Sequence, residues 1–204
     1  MLSLPWQERL HQTLRRLRNN GAEPRVALVG MGHTLYGDDG AGILLTQLLR
    51  PLERDMEGLL VVNGGSAPEN CTGLLRRFMP DLVVLVDAAQ LDEAPGTIQW
   101  IPSEMTSGFS ASTHTLPLHL ISCYLSMELV CEIVLLGIQP RRLNFGSMSL
   151  IVEAHVREMA KALEGTFKAF LTDDPGNREA SICHVQEDQP IPLRLPYVCR
   201  ERYL

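Results

Sequence analysis

Four short aliphatic runs, spaced with room for a helix between them, set the strongest limit on how this chain can fold. They are Val26–Val29, Leu59–Val62, Leu82–Val86 and Ile133–Ile138, and none contains a polar side chain. A strand with one wet face would alternate apolar and polar residues. Unbroken runs of this length read instead as parallel strands buried on both faces. A fifth run, Thr97–Ile101, is announced by Pro95-Gly96 and closed by Pro102. The link before it is too short for a helical crossover, so this strand is expected to be antiparallel. Helical spacing marks Ile43–Arg50, stopped by Pro51, and Asn70–Phe78, interrupted by Gly73. It also marks Leu116–Leu129, with Pro117 in a first turn, and Ile151–Phe167, with Val152, Val156, Met159, Leu163 and Phe167 on one face. The expected fold class is α/β: a three-layer sandwich with an about five-stranded, mostly parallel sheet, one antiparallel strand, and helices on both faces.

Three segments are expected. Residues 1–24 form an N-terminal amphipathic helix extension, with Ser3 as cap, Pro5 in the first turn, a stripe of Trp6, Leu10, Leu14 and Leu17, and Asn19-Asn20-Gly21 as terminator. It can pack on the core or simply precede it. Residues 25–170 make the α/β domain. Residues 171–204 carry four prolines, scattered charge and no periodicity, and read as an extended or partly disordered tail. The formal net charge is −6, and basic residues cluster only at Arg15, Arg16 and Arg18. Nucleic-acid binding, which needs a concentrated basic face, is not expected. No apolar run reaches the ~18 residues of a membrane span. The first residues carry charge where a signal peptide needs an apolar stretch, so the expected location is cytoplasmic. The five cysteines (71, 123, 131, 183, 199) contain no Cys-x-x-Cys pair and read as reduced thiols. Cys183, His184 and Cys199 could bind a metal, but an idle tail is the expected reading.

Open α/β sheets bind ligands beyond the carboxyl ends of their strands. Three loops there carry chemistry. The first runs from Gly30 to Gly42. Its glycines suggest a dinucleotide turn, yet the third glycine should fall at position 35, which is Leu35. Asp38 and Asp39, at the start of the next helix, would repel a pyrophosphate. The loop suits a cation or a proton, and one of the two aspartates could instead cap the helix. The second loop begins at Asp87, which is either a site group or a solvated loop-start residue. The third holds His114 in a polar turn, with His119 five residues on; a lone histidine is more often surface or satisfied core. Taken together, two carboxylates and an imidazole from one sheet edge suit nickel, zinc or a similar divalent ion. No Gly-x-Ser-x-Gly, Walker or His-Glu-x-x-His motif is present. Ser66 lacks a neighbouring base, and Glu69 reads as a capping or surface residue.

These residues also carry a family resemblance. Gly30–Gly42, read as G-x-G-x-x-L-x-G-D-D-G-x-G, resembles the signature of the hydrogenase maturation proteases. Asn63–Asn70, Val84–Ala88, Pro95–Ile98, Thr113–Leu118 and Leu136–Pro140 match in order and spacing, so the resemblance covers about residues 25–168. The Gly-Ser-Ala-Pro-Glu-Asn and Gly-Ile-Gln-Pro strings look most like the branch that processes hydrogenase 3, the hydrogenase of formate hydrogenlyase. The resemblance implies an aspartyl-type, metal-dependent endopeptidase that removes the C-terminal extension of a [NiFe] hydrogenase large-subunit precursor. Nickel, supplied by that precursor, is the recognition element, and other divalent metals can substitute. The metal-contacting positions fall on Asp39, Asp87 and His114. Asp39 and Asp38 are the catalytic expectation. Two positions depart from the family pattern: His33 stands where Asn is common, and Asn63 where Asp is common. The precursor is the expected partner, and other hydrogenase maturation factors could dock on the tail. The competing reading is a non-catalytic binding or chaperone module of the same fold.

Overall fold

A computed structural model describes residues 5–18, 23–103, 105, 124–129 and 131–171. The aliphatic runs form β1 (Val26–Met31), β2 (Leu59–Gly65), β3 (Leu82–Ala88), β4 (Ile98–Pro102) and β5 (Glu132–Ile138). They make one sheet in the order β2-β1-β3-β5-β4. β1 pairs parallel with β2 and β3, and β3 pairs parallel with β5. β4 runs antiparallel to β5, with Ile98 opposite Ile138 and Pro102 opposite Val134. It is an edge strand, where a proline without an N–H is tolerated.

Strand pleating divides the aliphatic residues between two cores. Val26, Leu28, Val84, Val86, Val134 and Leu136 face one side, and Ala27, Val29, Val83, Leu85, Ile133 and Leu135 the other. The first core is closed by α1 (Trp6–Arg18), α2 (Ala41–Leu49) and α4 (Leu150–Leu171). The second is closed by Leu75 and Phe78 of α3 (Thr72–Phe78), and by Leu125 and Leu129 in and just after a helical stretch at 124–128. The molecule is thus an α/β sandwich, helices around a mixed sheet.

α1 packs on the core. Trp6, Leu10, Leu14 and Leu17 are buried in the same cluster as Phe167 and Phe170 of α4, a burial worth about 1.5–3 kcal/mol per large side chain. His11 Nε2 lies 2.9 Å from Thr166 Oγ1, and the Arg18 guanidinium sits 5.0 Å from the centre of the Phe170 ring. Arg16 donates twice to Glu132, at 2.5 Å each, and this pairing raises its pKa.

Cys71 and Cys131 are free, partly buried thiols. Burial, with Asp81 and Glu132 nearby, pushes the Cys131 thiol up to about 12, so it stays protonated and unreactive at neutral pH. His114, His119, Ser3, Cys123, the Asn19-Asn20-Gly21 terminator, residues 116–123 of the fourth expected helix and the tail beyond Leu171 lie outside the described residues. Among the described residues, no helix is long and apolar enough to cross a membrane.

Candidate active site

The strand order creates one topological switch point. From β1 the chain moves to β2 on one side, then crosses back to β3 on the other. A crevice opens where such connections diverge, at the carboxyl ends of β1 and β3. Asp87, the sixth residue of β3, stands there in register with Gly137 of β5. Asp39 reaches the same end through the 3₁₀ turn Gly37–Gly40, which leads directly into α2.

Glycines bring these parts together. Gly32 turns the chain out of β1 with φ +119°, and a Cβ there would fall 1.7 Å from the Asp39 carbonyl oxygen. At Gly42, in the first turn of α2, a Cβ would fall 2.4 Å from the carbonyl oxygen of Val86 and 2.5 Å from that of Met31. The helix therefore presses on the ends of β1 and β3 at backbone contact. Here the glycines serve close packing of the helix on the sheet.

Asp39 and Asp87 are both fully buried. The His33 N–H donates to Asp39 Oδ2 at 2.7 Å, and the Ala88 N–H donates to Asp87 Oδ1 at 2.9 Å. Asp39 Oδ1 and Asp87 Oδ2 are likewise shut off from solvent. Buried carboxylates are characteristically matched by positive charge or a metal ion. The third sequence-predicted ligand, His114, is outside the described residues. Among those described, no three His, Cys, Asp or Glu side chains converge as a metal site.

Asp38 is equally buried but engaged differently. The N–H groups of Arg141 and Arg142 donate to its Oδ2 at 2.8 and 3.0 Å, and the Ser149 hydroxyl adds a bond at 2.9 Å. The Ser149 N–H donates to Oδ1 at 2.6 Å. With donors on both oxygens, Asp38 fastens the loop after β5 to the turn that carries Asp39. Gln139 forms a second clasp: its Oε1 accepts the Leu91 N–H at 2.7 Å, holding the segment after Asp87. Neither Ser149 nor Gln139 was among the site residues expected from sequence. Only the Gly-Ile-Gln-Pro string pointed toward Gln139. A cavity of about 200 Å³ beside Asp39 is lined by Gly32, His33, Thr34, Ile43, Asn63 and other residues of the β2 loop. His33 and Asn63, the two departures from the family pattern, therefore share one cavity.

The sequence profile of the hydrogenase maturation proteases matches residues 43–166, more than half of the chain. The hydrogenase 3 maturation protease of Escherichia coli is 34% identical over 140 residues, which is 68% of this chain and 88% of that protein. The chain belongs to the hydrogenase maturation protease family. Solved members of the family share its fold. The [NiFe] hydrogenase maturation protease HycI from Thermococcus kodakarensis superposes with a TM-score of 0.66 at 29% identity, over 76% of this chain and 99% of that one. The endopeptidase HycI from Escherichia coli gives 0.59 at 30% identity, over 69% and 90%. Family membership supports protease function in hydrogenase maturation. The profile match starts at Ile43, just past Asp38 and Asp39.

Proposed function

We propose that this protein removes the C-terminal extension from the nickel-loaded large-subunit precursor of a [NiFe] hydrogenase, with nickel as the mark of a precursor ready for cleavage. The observation that carries this reading is the pair of fully buried carboxylates, Asp39 and Asp87, at the switch point of a hydrogenase maturation protease. Their chemistry fits a divalent ion: carboxylate oxygens, completed by an imidazole from His114, are a donor set that nickel accepts. The backbone N–H on one oxygen of each aspartate fixes the carboxylate's orientation.

Nickel arrives as part of the substrate, held by precursor thiolates, and as a Lewis acid it can polarise a carbonyl or acidify a water. Asp39, Asp87 and His114 take up its remaining positions and so hold the precursor with its scissile peptide beside Asp39. Asp39 then serves as general base toward the attacking water. Cytoplasmic residence and contact with other maturation factors belong to the same reading.

The test is cleavage in vitro of a large-subunit precursor, with and without nickel, by wild type and Asp39→Asn. Loss of the C-terminal extension only with nickel and only with wild type is the expected result. A folded wild type that leaves several nickel-loaded precursors intact would overturn the proposal in favour of a binding module.

A further inference from the structure

Contacts run unbroken from Asp39 to an exposed aromatic pair. Asp39 Oδ2 accepts the His33 N–H. The His33 ring stands edge-on to Tyr36, with centroids 5.0 Å apart and planes at 72°. Tyr36 stands edge-on to Phe145, at 6.4 Å and 86°. Phe145 is 75% exposed, Leu35 53% and Tyr36 39%. Scattered single apolar side chains are ordinary on a protein surface. These three, however, are gathered from two loops far apart in sequence and fixed in place. The Gly146 N–H donates to the Leu35 carbonyl at 2.9 Å, the Gly37 N–H to the Gly146 carbonyl at 3.0 Å, and the Asp38 N–H to the Arg142 carbonyl at 3.0 Å. Gly146 has φ +140°, a conformation that side chains rarely adopt. The buried Asp38 carboxylate then ties the same two loops from beneath.

The geometry points to a docking platform: Leu35, Tyr36 and Phe145 receive an apolar stretch of the precursor polypeptide adjoining the segment that reaches Asp39. This rests on the protease reading above. The occupant follows from continuity with the active site. Tyr36 directly precedes the Gly37–Gly40 turn that carries Asp39, so a polypeptide engaged at Asp39 crosses this face within a few residues. The β2 side of Asp39 offers a cavity lined by His33, Thr34, Asn63 and Ser66, with Ile43 as its one large aliphatic side chain. An apolar stretch gains more from the aromatic side. Rigid aromatic anchors on preorganised loops are also the side chains that dominate binding energy in protein recognition.

The experiment uses the full chain and a nickel-loaded precursor, and reads both precursor binding by fluorescence anisotropy and steady-state cleavage. The variants are the double change Tyr36→Ala with Phe145→Ala, the single change Leu35→Ser, and the control Met79→Ala. Met79 is 70% exposed just before β3 begins, at the amino ends of the parallel strands and so at the opposite end of the sheet from Asp87. The double variant should bind about tenfold more weakly and raise KM by the same factor, with kcat within about twofold of wild type. Leu35→Ser should shift both in the same direction by less, and Met79→Ala should match wild type. Unchanged binding and KM in the double variant would overturn the proposal, as would a loss confined to kcat. A wild-type dimer that the double variant dissociates, with precursor binding untouched, would assign the surface to a second copy of the chain and overturn it too. Binding is read independently of cleavage. A wild type that binds through these rings but cleaves nothing would remove the protease reading and leave the platform standing.

Discussion

Asp38 and Asp39 are adjacent, chemically identical and both fully buried, yet their surroundings differ. Asp38 accepts hydrogen bonds on both oxygens. In Asp38→Asn, the amide NH₂ must face an N–H or hydroxyl donor, whichever way it is turned. Leaving buried donors unpaired in that way should cost about 3 kcal/mol, a fall of roughly 6–12 °C in melting temperature for a chain of this size. Asp39 has its backbone donor, from His33, on a single oxygen. Asp39→Asn can keep that bond through its carbonyl oxygen while removing a charge from a desolvated position. Its melting temperature should fall less than that of Asp38→Asn even as cleavage is lost, the usual trade at a functional site. Calorimetric melts of the two variants side by side decide the matter. Equal destabilisation of both would place Asp39 in the frame as well and weaken its assignment to the active site.

At the scale of elements, the site depends on how closely α2 approaches the sheet, and Gly42 sets that distance. A methyl there would meet the carbonyl oxygens of Val86 and Met31, which belong to paired strands and cannot give way cheaply. Gly42→Ala should lower stability by about 3 kcal/mol and reduce cleavage, because the turn bearing Asp39 would move outward with the helix. A melt and a cleavage rate matching wild type would show that α2 can slide without consequence. The sheet itself was legible in sequence, because a strand buried on both faces has to be aliphatic at every position. The antiparallel β4 was legible from the short link before it. Strand ends were less so. β1, β2 and β3 run on through Met31, Gly65 and Ala88, since ladder bonds are made by backbone that glycine, asparagine and aspartate carry as well as valine does. Asp87 stood out as a carboxylate that ends an aliphatic run, and Asp39 as one of a carboxylate pair in a glycine-rich loop. The Asp38 clasp did not, because its partners, from Arg141 to Ser149, lie far along the chain and follow no local pattern.

At the scale of the whole molecule, the turn that carries Asp39 and the strand end that carries Asp87 meet because β1 and β3 are neighbours, with β2 on the other side of β1. Neither alone would form a site, so ligand binding there should be felt by the folded state as a unit. That makes global stability a reporter of the metal question without any precursor present. If Asp39 and Asp87 are ligands, free Ni²⁺ should bind the folded chain, weakly, through the protein's own donors. At a hundredfold excess over Kd, binding to the native state alone adds about 2.7 kcal/mol. For a chain of this size that is roughly a 5–10 °C rise in melting temperature. The double variant Asp39→Asn with Asp87→Asn retains a carbonyl oxygen for the N–H groups of His33 and Ala88 but loses both charges, and its melting temperature should not respond to nickel. An equal rise in wild type and double variant would assign the ion to other donors, Cys183, His184 and Cys199 of the tail among them. The two aspartates would then be left to act on the peptide without touching the metal.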